Sequence, residues 1–188
     1  DKWYATNIVG KTDADGNLLT NYIVDAMFCN DRSITDRTYN SGYKLSQHTF
    51  YSRYTRLYQN TNKTATLKCS SDMRDQFSTT SSRGNAKLTY PTALITADEV
   101  ALAGGKYNTK NENYYLRTNG YFWTMTPSSF RASHALALVL FVTPTGLLYR
   151  WGNVSDWLGV RAVINLRSNL LISSGDGTVE NPYQLTLR

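Results

Sequence analysis

Apolar and aromatic stretches dominate the second half of the chain. Tyr121-Phe-Trp-Thr-Met125 and residues 135–142, 147–151 and 160–166 are rich in β-branched and aromatic side chains and predict successive strands. Thr143-Pro-Thr-Gly146 and Ser173-Ser-Gly-Asp-Gly-Thr178 supply turns between and after them. Residues 3–9 alternate and predict a strand; Asp13-Ala-Asp-Gly-Asn17 and a second strand over 21–28 would complete a hairpin. The same Asp-rich stretch looks like the opening of a calcium loop, but the later ligands and the terminal Glu are absent, so it is read as a turn. Phe50, Tyr54, Leu57 and Tyr58 fall at helical spacing and predict a short amphipathic helix within 49–59. Residues 60–87 show no period and read as loop. Thr96-Ala-Asp-Glu99 is a capping box that starts a helix, and Gly104-Gly105 stops it.

Composition narrows the class. The chain has 188 residues, enough for one domain with long loops, and only 18% are charged while 14 are tyrosine. Tyr-rich, Asn-rich and Ser-rich loops describe either an ordinary β-rich domain or a recognition surface, since Tyr offers broad contact at low entropic cost. The net charge of +6 arises between Asn30 and Tyr90, where ten Lys or Arg face four Asp. These charges are interspersed with polar residues rather than clustered, so they read as a solvated face and not as a nucleic-acid stripe. No apolar run approaches the roughly 20 residues that span a bilayer. Cys29 and Cys69 suit one disulfide in an oxidising compartment, the alternative being two buried thiols.

Candidate chemistry is sparse. His48 and His134 each lack a second ligand at metal-binding spacing. There is no Gly-x-Ser-x-Gly, phosphate loop or Cys-x-x-Cys. Between Asn119 and Asn165 the charged residues are Arg131, Arg150, Asp156 and Arg161, so a paired acid and base is hard to assemble. Three of the four tryptophans lie in that stretch, which therefore forms a core, a recognition surface, or both on alternate faces.

An ordered series of motifs adds a family likeness. Phe28-Cys-Asn-Asp-Arg32, Leu67-Lys-Cys69, Leu88-Thr-Tyr-Pro91, Leu94-Ile-Thr-Ala-Asp-Glu-Val100 and Ala103-Gly-Gly105 come first. Tyr114-Tyr-Leu116, Phe122-Trp-Thr-Met-Thr-Pro127, Gly159-Val-Arg-Ala-Val-Ile-Asn-Leu166 and Ser173-Ser-Gly-Asp-Gly-Thr178 follow. From about Tyr22 to Tyr183 the series resembles bacterial and phage surface domains of the formylglycine-generating-enzyme branch of the C-type lectin fold. That group includes the variable proteins of diversity-generating retroelements. The resemblance implies an α+β, C-type-lectin-like domain over residues 1–188, with small twisted antiparallel sheets, two short helices and long loops.

It also implies a non-enzymatic ligand-binding scaffold without cofactor or metal. The partner would be a protein ligand or cell-surface receptor, with a glycan as the alternative, and with no nucleic acid and no membrane insertion. The location would be extracellular, on a cell surface or a phage particle. In such proteins a C-terminal segment is rewritten at template adenines; here it corresponds to residues 130–158, closed by Gly159-Val-Arg161. The contact positions would be Arg131, Ser133, His134, Leu136, Tyr149, Arg150, Trp151, Asn153, Ser155, Asp156, Trp157 and Leu158. Some residues depart from the pattern. Ala162 stands where similar sequences have Pro, and Trp151 and Trp157 cannot arise from Asn codons by adenine changes alone. Glu180-Asn-Pro182 and Trp151-Gly-Asn153 do not match calcium-dependent sugar motifs, and the catalytic cysteine pair of the enzyme branch is missing. Gly152, Gly159 and Ser155-Asp156 break the alternation, so residues 149–158 are expected to form a loop that exposes Tyr149, Arg150, Trp151 and Trp157. Trp123, within a regular strand, is expected in the core.

Overall fold

The strand-rich second half builds the centre of the molecule. In the computed structural model, residues 1–34, 49–58, 64–69, 75–80, 87–131, 134–178 and 180–188 are described. The elements in the first half are α1 (Lys2–Asn7), a 3-10 turn (Leu19–Tyr22), β1 (Ile23–Val24), β2 (Phe28–Cys29), β3 (Thr49–Phe50), α2 (Ser52–Tyr58) and β4 (Gln76–Phe77). Then come β5 (Ala93–Leu94), α3 (Ala97–Leu102), β6 (Lys106–Tyr107), β7 (Phe122–Arg131), β8 (Leu136–Val142) and β9 (Leu147–Asn153). The chain closes with β10 (Ala162–Val163), β11 (Asn165–Leu166), β12 (Leu170–Ser174) and β13 (Gln184–Leu187). A five-stranded sheet runs β3-β7-β8-β9-β6, antiparallel except where β6 lies parallel to β9. Two-stranded antiparallel pairs β1/β11, β2/β4, β5/β10 and β12/β13 surround it. The described residues are thus α+β, with short helices and several small antiparallel sheets.

One face of the central sheet is the core. Phe122 from β7, Leu140 and Val142 from β8 and Leu148 from β9 are buried against Tyr54 and Leu57 of α2 and Ala97 and Val100 of α3. Full burial of each large apolar side chain contributes about 1.5–3 kcal/mol. A second, smaller cluster explains why residues 3–9 are not the expected strand. Tyr4 and Ile8, one helical turn apart, pack together on Ile23, and Tyr4 stacks on Tyr90 with ring centroids 5.0 Å apart. That i,i+4 pairing holds Lys2–Asn7 as a helix, although no side chain caps it.

The expected hairpin shrinks accordingly. Asp13 Oδ1 accepts the Asp15 and Asn17 amides, and Gly16 takes φ +84, so the turn forms as read. Its arms reduce to a Thr12–Leu18 bridge, and residues 21–28 divide into the end of the 3-10 turn, β1 and the start of β2. Of the predicted helix over 49–59, Ser52–Tyr58 is helical and Thr49–Phe50 joins the sheet edge. Within 60–87, read as loop, residues 64–69 carry no regular structure while Gln76–Phe77 pairs with β2.

The capping box forms as the sequence indicates. Thr96 Oγ1 accepts the Glu99 amide at 3.2 Å, and Glu99 Oε2 accepts the Thr96 amide at 2.7 Å. After the helix, Gly104 adopts φ +97 and the Gly105 amide donates to Val100 O. Thr126 Oγ1 on β7 accepts the Ala97 amide at 2.9 Å and ties the helix start to the sheet.

Asp98, fully buried in the first turn of α3, joins three segments. Arg56 clasps it with two nitrogens at 2.5 and 3.1 Å, Arg53 Nε lies 3.1 Å away, and the Thr66 amide donates at 3.0 Å. Three residues beyond Thr66, Cys69 is disulfide-bonded to Cys29 on β2, with Cα atoms 5.2 Å apart. The basic excess is therefore not simply a solvated face. Arg53 is 2% exposed and Arg32 pairs with buried Asp75, while Arg37, Lys44, Lys63, Arg74 and Arg83 lie outside the described residues. Replacing Asp98 by Ala removes the buried carboxylate that two guanidinium groups share and should cost roughly 3 kcal/mol in urea unfolding; a loss below about 1 kcal/mol would show that the carboxylate is not needed.

Candidate functional site

The proposed contact residues are positioned by a defect in the central sheet. Phe141 pairs with Tyr149 and Val139 pairs with Gly152, so Arg150 and Trp151 together oppose the single residue Leu140. This is a β-bulge, which inserts one residue and reverses the side-chain parity beyond it. Arg150 and Trp151 consequently share the side of core residue Leu140, while Tyr149 and Gly152 share the other side with Phe141. Ser128 Oγ on β7 donates to Arg150 O at 2.8 Å and secures the bulge.

On the bulge, Arg150 is held among aromatic rings. Its guanidinium carbon lies 5.4 Å from the Tyr54 ring centroid, 5.3 Å from Tyr58 and 4.6 Å from Trp151. One of its nitrogens also donates to the Tyr54 hydroxyl. Burial is the strongest single influence and works against the Arg150 charge, but that hydrogen bond and the neighbouring Tyr54, Tyr107 and Tyr58 phenols together outweigh it and raise the pKa above its ordinary value. Arg131, at the end of β7, lies 5.1 Å over the same Trp151 ring. Trp151 thus meets a guanidinium from each of two strands and remains 38% exposed. Tyr107, whose ring lies 4.7 Å from Tyr58, has its pKa raised first by burial and then by neighbouring Tyr54.

The turn after β9 is fixed at both ends. Asn153 O accepts the Asp156 amide at 2.8 Å, and Asp156 Oδ2 accepts the Asn153 amide at 2.9 Å. The Ser155 amide reaches Asn153 Oδ1 at 3.4 Å. At the far end the Gly159 amide donates to Tyr121 O at 2.8 Å, and Gly159 O accepts the Trp123 amide at 2.9 Å. A Cβ on Gly159 would stand 2.9 Å from Tyr121 O, so this close approach of backbones needs glycine. Between the two anchors Trp157 projects with 98% of its surface exposed.

The structure therefore gathers Arg131, Arg150 and Trp151, and exposes Trp157 beside exposed Ser155 and Asp156 and half-buried Leu158. His134 is exposed and Leu136 and Asn153 are half-buried at the same end of the β7–β8–β9 meander, whereas Ser133 lies outside the described residues. Three expectations are corrected. Residues 149–153 are strand rather than loop, because the bulge absorbs the broken alternation. Tyr149 and Arg150 are half-buried, Tyr149 against Phe141 and Arg150 among its rings. Trp123 is half-buried on the opposite face, edge-on to Phe141, and not in the core. A Cβ on Gly152 would lie 2.5 Å from the Trp123 ring, so this glycine leaves room for the indole. The reading from sequence missed Tyr54 and Tyr58 as supports of Arg150; their helical spacing showed only that they would face inward. Among the described residues no group of three or more His, Cys, Asp or Glu is arranged to hold a metal, and no helix is long and apolar enough to cross a membrane.

Compared with protein-family models, with curated proteins and with solved structures, the chain matches none.

Truncation should separate Trp157, within the anchored turn, from Arg150 on the bulge before it. Trp157→Ala should leave stability within about 0.5 kcal/mol, while Arg150→Ala should cost about 2 kcal/mol because several cation–π contacts and a partly buried hydrogen bond are lost. Urea unfolding of both variants checks this, and equal losses would contradict it.

Alkaline pH gives a second test. Tyr107 and Tyr114 both hold their protons above the ordinary value of 10.0, chiefly because they are buried. Their contribution to stability is full below pH 10 and falls as pH rises toward their folded-state values. Spectrophotometric titration should show these two ionising together with unfolding; ionisation near pH 10 in the intact fold would contradict their environment.

Proposed function

We propose that this chain is a non-enzymatic ligand-binding domain of C-type-lectin-like fold, displayed on a cell surface or phage particle, and that it is the variable protein of a diversity-generating retroelement. The carrying observation is Trp157, 98% exposed on a turn whose ends are fixed by backbone hydrogen bonds. An indole left in water on a rigid support is costly for a monomer and useful in an interface, where Trp, Tyr and Arg supply most of the binding energy. On the strands before that turn, Trp151 with Arg131 and Arg150 offers the same residue types, on a backbone that tolerates exchange of the exposed side chains.

The α+β arrangement with small antiparallel sheets and short helices accords with this fold, and the Cys29–Cys69 disulfide accords with an oxidising, extracellular location. A protein ligand is favoured because the candidate contact residues mix aromatic and cationic types, which suits a protein epitope. Trp157 also keeps an open ring face on which a sugar could stack, and that gives a calcium-independent glycan as the alternative ligand.

Two measurements test the reading together. The encoding locus should carry a second, near-identical copy of the segment for residues 130–158 that differs at adenines, beside a reverse-transcriptase gene; a locus without that copy removes the retroelement assignment. Screening the protein against a glycan array and a panel of displayed surface proteins should give protein binding that falls about tenfold or more in Trp157→Ala. A signal on glycans that depends on Trp157 would change the ligand class, and binding untouched by Trp157→Ala and Trp151→Ala would overturn the site.

A further inference from the structure

A cleft of about 540 Å³ opens beside the Gly159 anchor of the Trp157 turn, between α1, the strand start at Phe122 and the segment following Gly159. Its volume falls within the usual range of small-molecule sites. Ile95, Phe122 and Val163 contribute apolar surface, and the large side chains of Trp3 and Tyr121 flank it, 44% and 50% exposed. Neither is needed by the core clusters: in α1 it is Tyr4 and Ile8 that pack inward, and Tyr121 precedes the buried Phe122.

One charged side chain lines this space, whose other polar side-chain groups include the Thr118 and Tyr121 hydroxyls. Arg161 places its guanidinium carbon 5.0 Å from the Phe122 ring centroid. Among the described residues it forms no ion pair, in contrast to Arg32, Arg53 and Arg56, which each face a carboxylate. The Tyr114 phenol lies within electrostatic reach of it. Burial raises the pKa of that phenol, so it stays neutral and leaves the guanidinium uncompensated. A guanidinium stacked on a ring is held in place, keeps donors free in its plane, and is suited to carboxylate, sulfonate or phosphate oxygens.

We propose that this cleft is a binding site for a small apolar acid, its aromatic or aliphatic body lying between Trp3 and Tyr121 and its anionic group on Arg161. Trp157 does not line the cleft, so the proposal does not depend on the reading of its turn. Apolar walls explain affinity for the body, and the one cation explains selection of the acid over its neutral counterpart, since a charge-assisted hydrogen bond is available to the anion alone.

A dye pair that differs in the anionic group provides the test. 8-Anilinonaphthalene-1-sulfonate and its uncharged parent N-phenyl-1-naphthylamine share the same apolar body, and both fluoresce when shielded from water. Titrated against the intact, disulfide-bonded protein, the sulfonate should bind at one site per chain and roughly tenfold or more tighter than the neutral dye. Arg161→Gln should remove that preference while leaving the neutral dye unchanged, Arg161→Lys should retain part of it, and Trp3→Ala should weaken both dyes. Melting curves of each variant establish that it is folded; should Arg161→Gln not fold, Val160→Glu, which sets a carboxylate on the rim of the cleft, should weaken the sulfonate selectively. Equal binding of the two dyes by the native protein, full sulfonate binding by Arg161→Gln, or loss of binding in Trp157→Ala would each overturn the proposal, the last by placing the dye on the other patch.

Discussion

A carboxylate in a protein interior persists only when its oxygens are occupied, and Asp98 meets that demand by drawing three chain segments to one point. Arg53 and Arg56 reach it from α2, the Thr66 amide reaches it from the stretch leading to Cys69, and Asp98 itself sits at the start of α3. Moving any one of these segments by a few ångströms would leave buried charge uncompensated, a penalty larger than most packing errors. The two helices therefore have a fixed relation before their apolar sides meet the sheet. The Cys29–Cys69 bond links the same stretch to β2, so covalent and ionic constraints converge on it.

The exposed patch inherits that fixed relation. Tyr54 is both a fully buried core residue and the hydrogen-bond partner of Arg150, and Tyr58, one turn later, stacks on it at 5.3 Å. A chain of packed rings thus connects the Asp98 cluster, through α2, to the bulge that carries Arg150 and Trp151. The bulge makes this possible. Without its extra residue, strict alternation would send one of these two side chains to the other side of the sheet.

Much of the architecture was legible in the sequence wherever local chemistry decides local structure. The Thr96 capping box, the Gly104 stop, the Gly146 turn and the three long strands all depend on residues close to one another in the chain. What escaped depends on distant partners. Residues 3–9 alternate like a strand, but Ile23 and Tyr90 reward the helical pairing of Tyr4 with Ile8. Arg53 reads as a surface charge because its acidic partner stands 45 positions later in the chain, at Asp98. The break in alternation at Gly152 was visible, yet a loop and a bulged strand leave the same mark there. The tryptophans were sorted by neighbours the sequence does not display: Trp123 fits over a glycine of β9, and Trp157 is left out by a turn anchored to Tyr121.

The central meander also bears on how the chain reaches its native state. Strands β7, β8 and β9 follow one another directly, so their pairing closes only short loops and carries the least entropic cost of any pairing in the central sheet. By contrast, β3 and α2 must travel from the first half of the chain to join them. Gly146 lies at the tight end of this meander with φ +72, where a Cβ would approach Asn111 O to 2.2 Å. A side chain at that position would therefore hinder the least costly step of assembly, and would slow folding as well as weaken the finished structure.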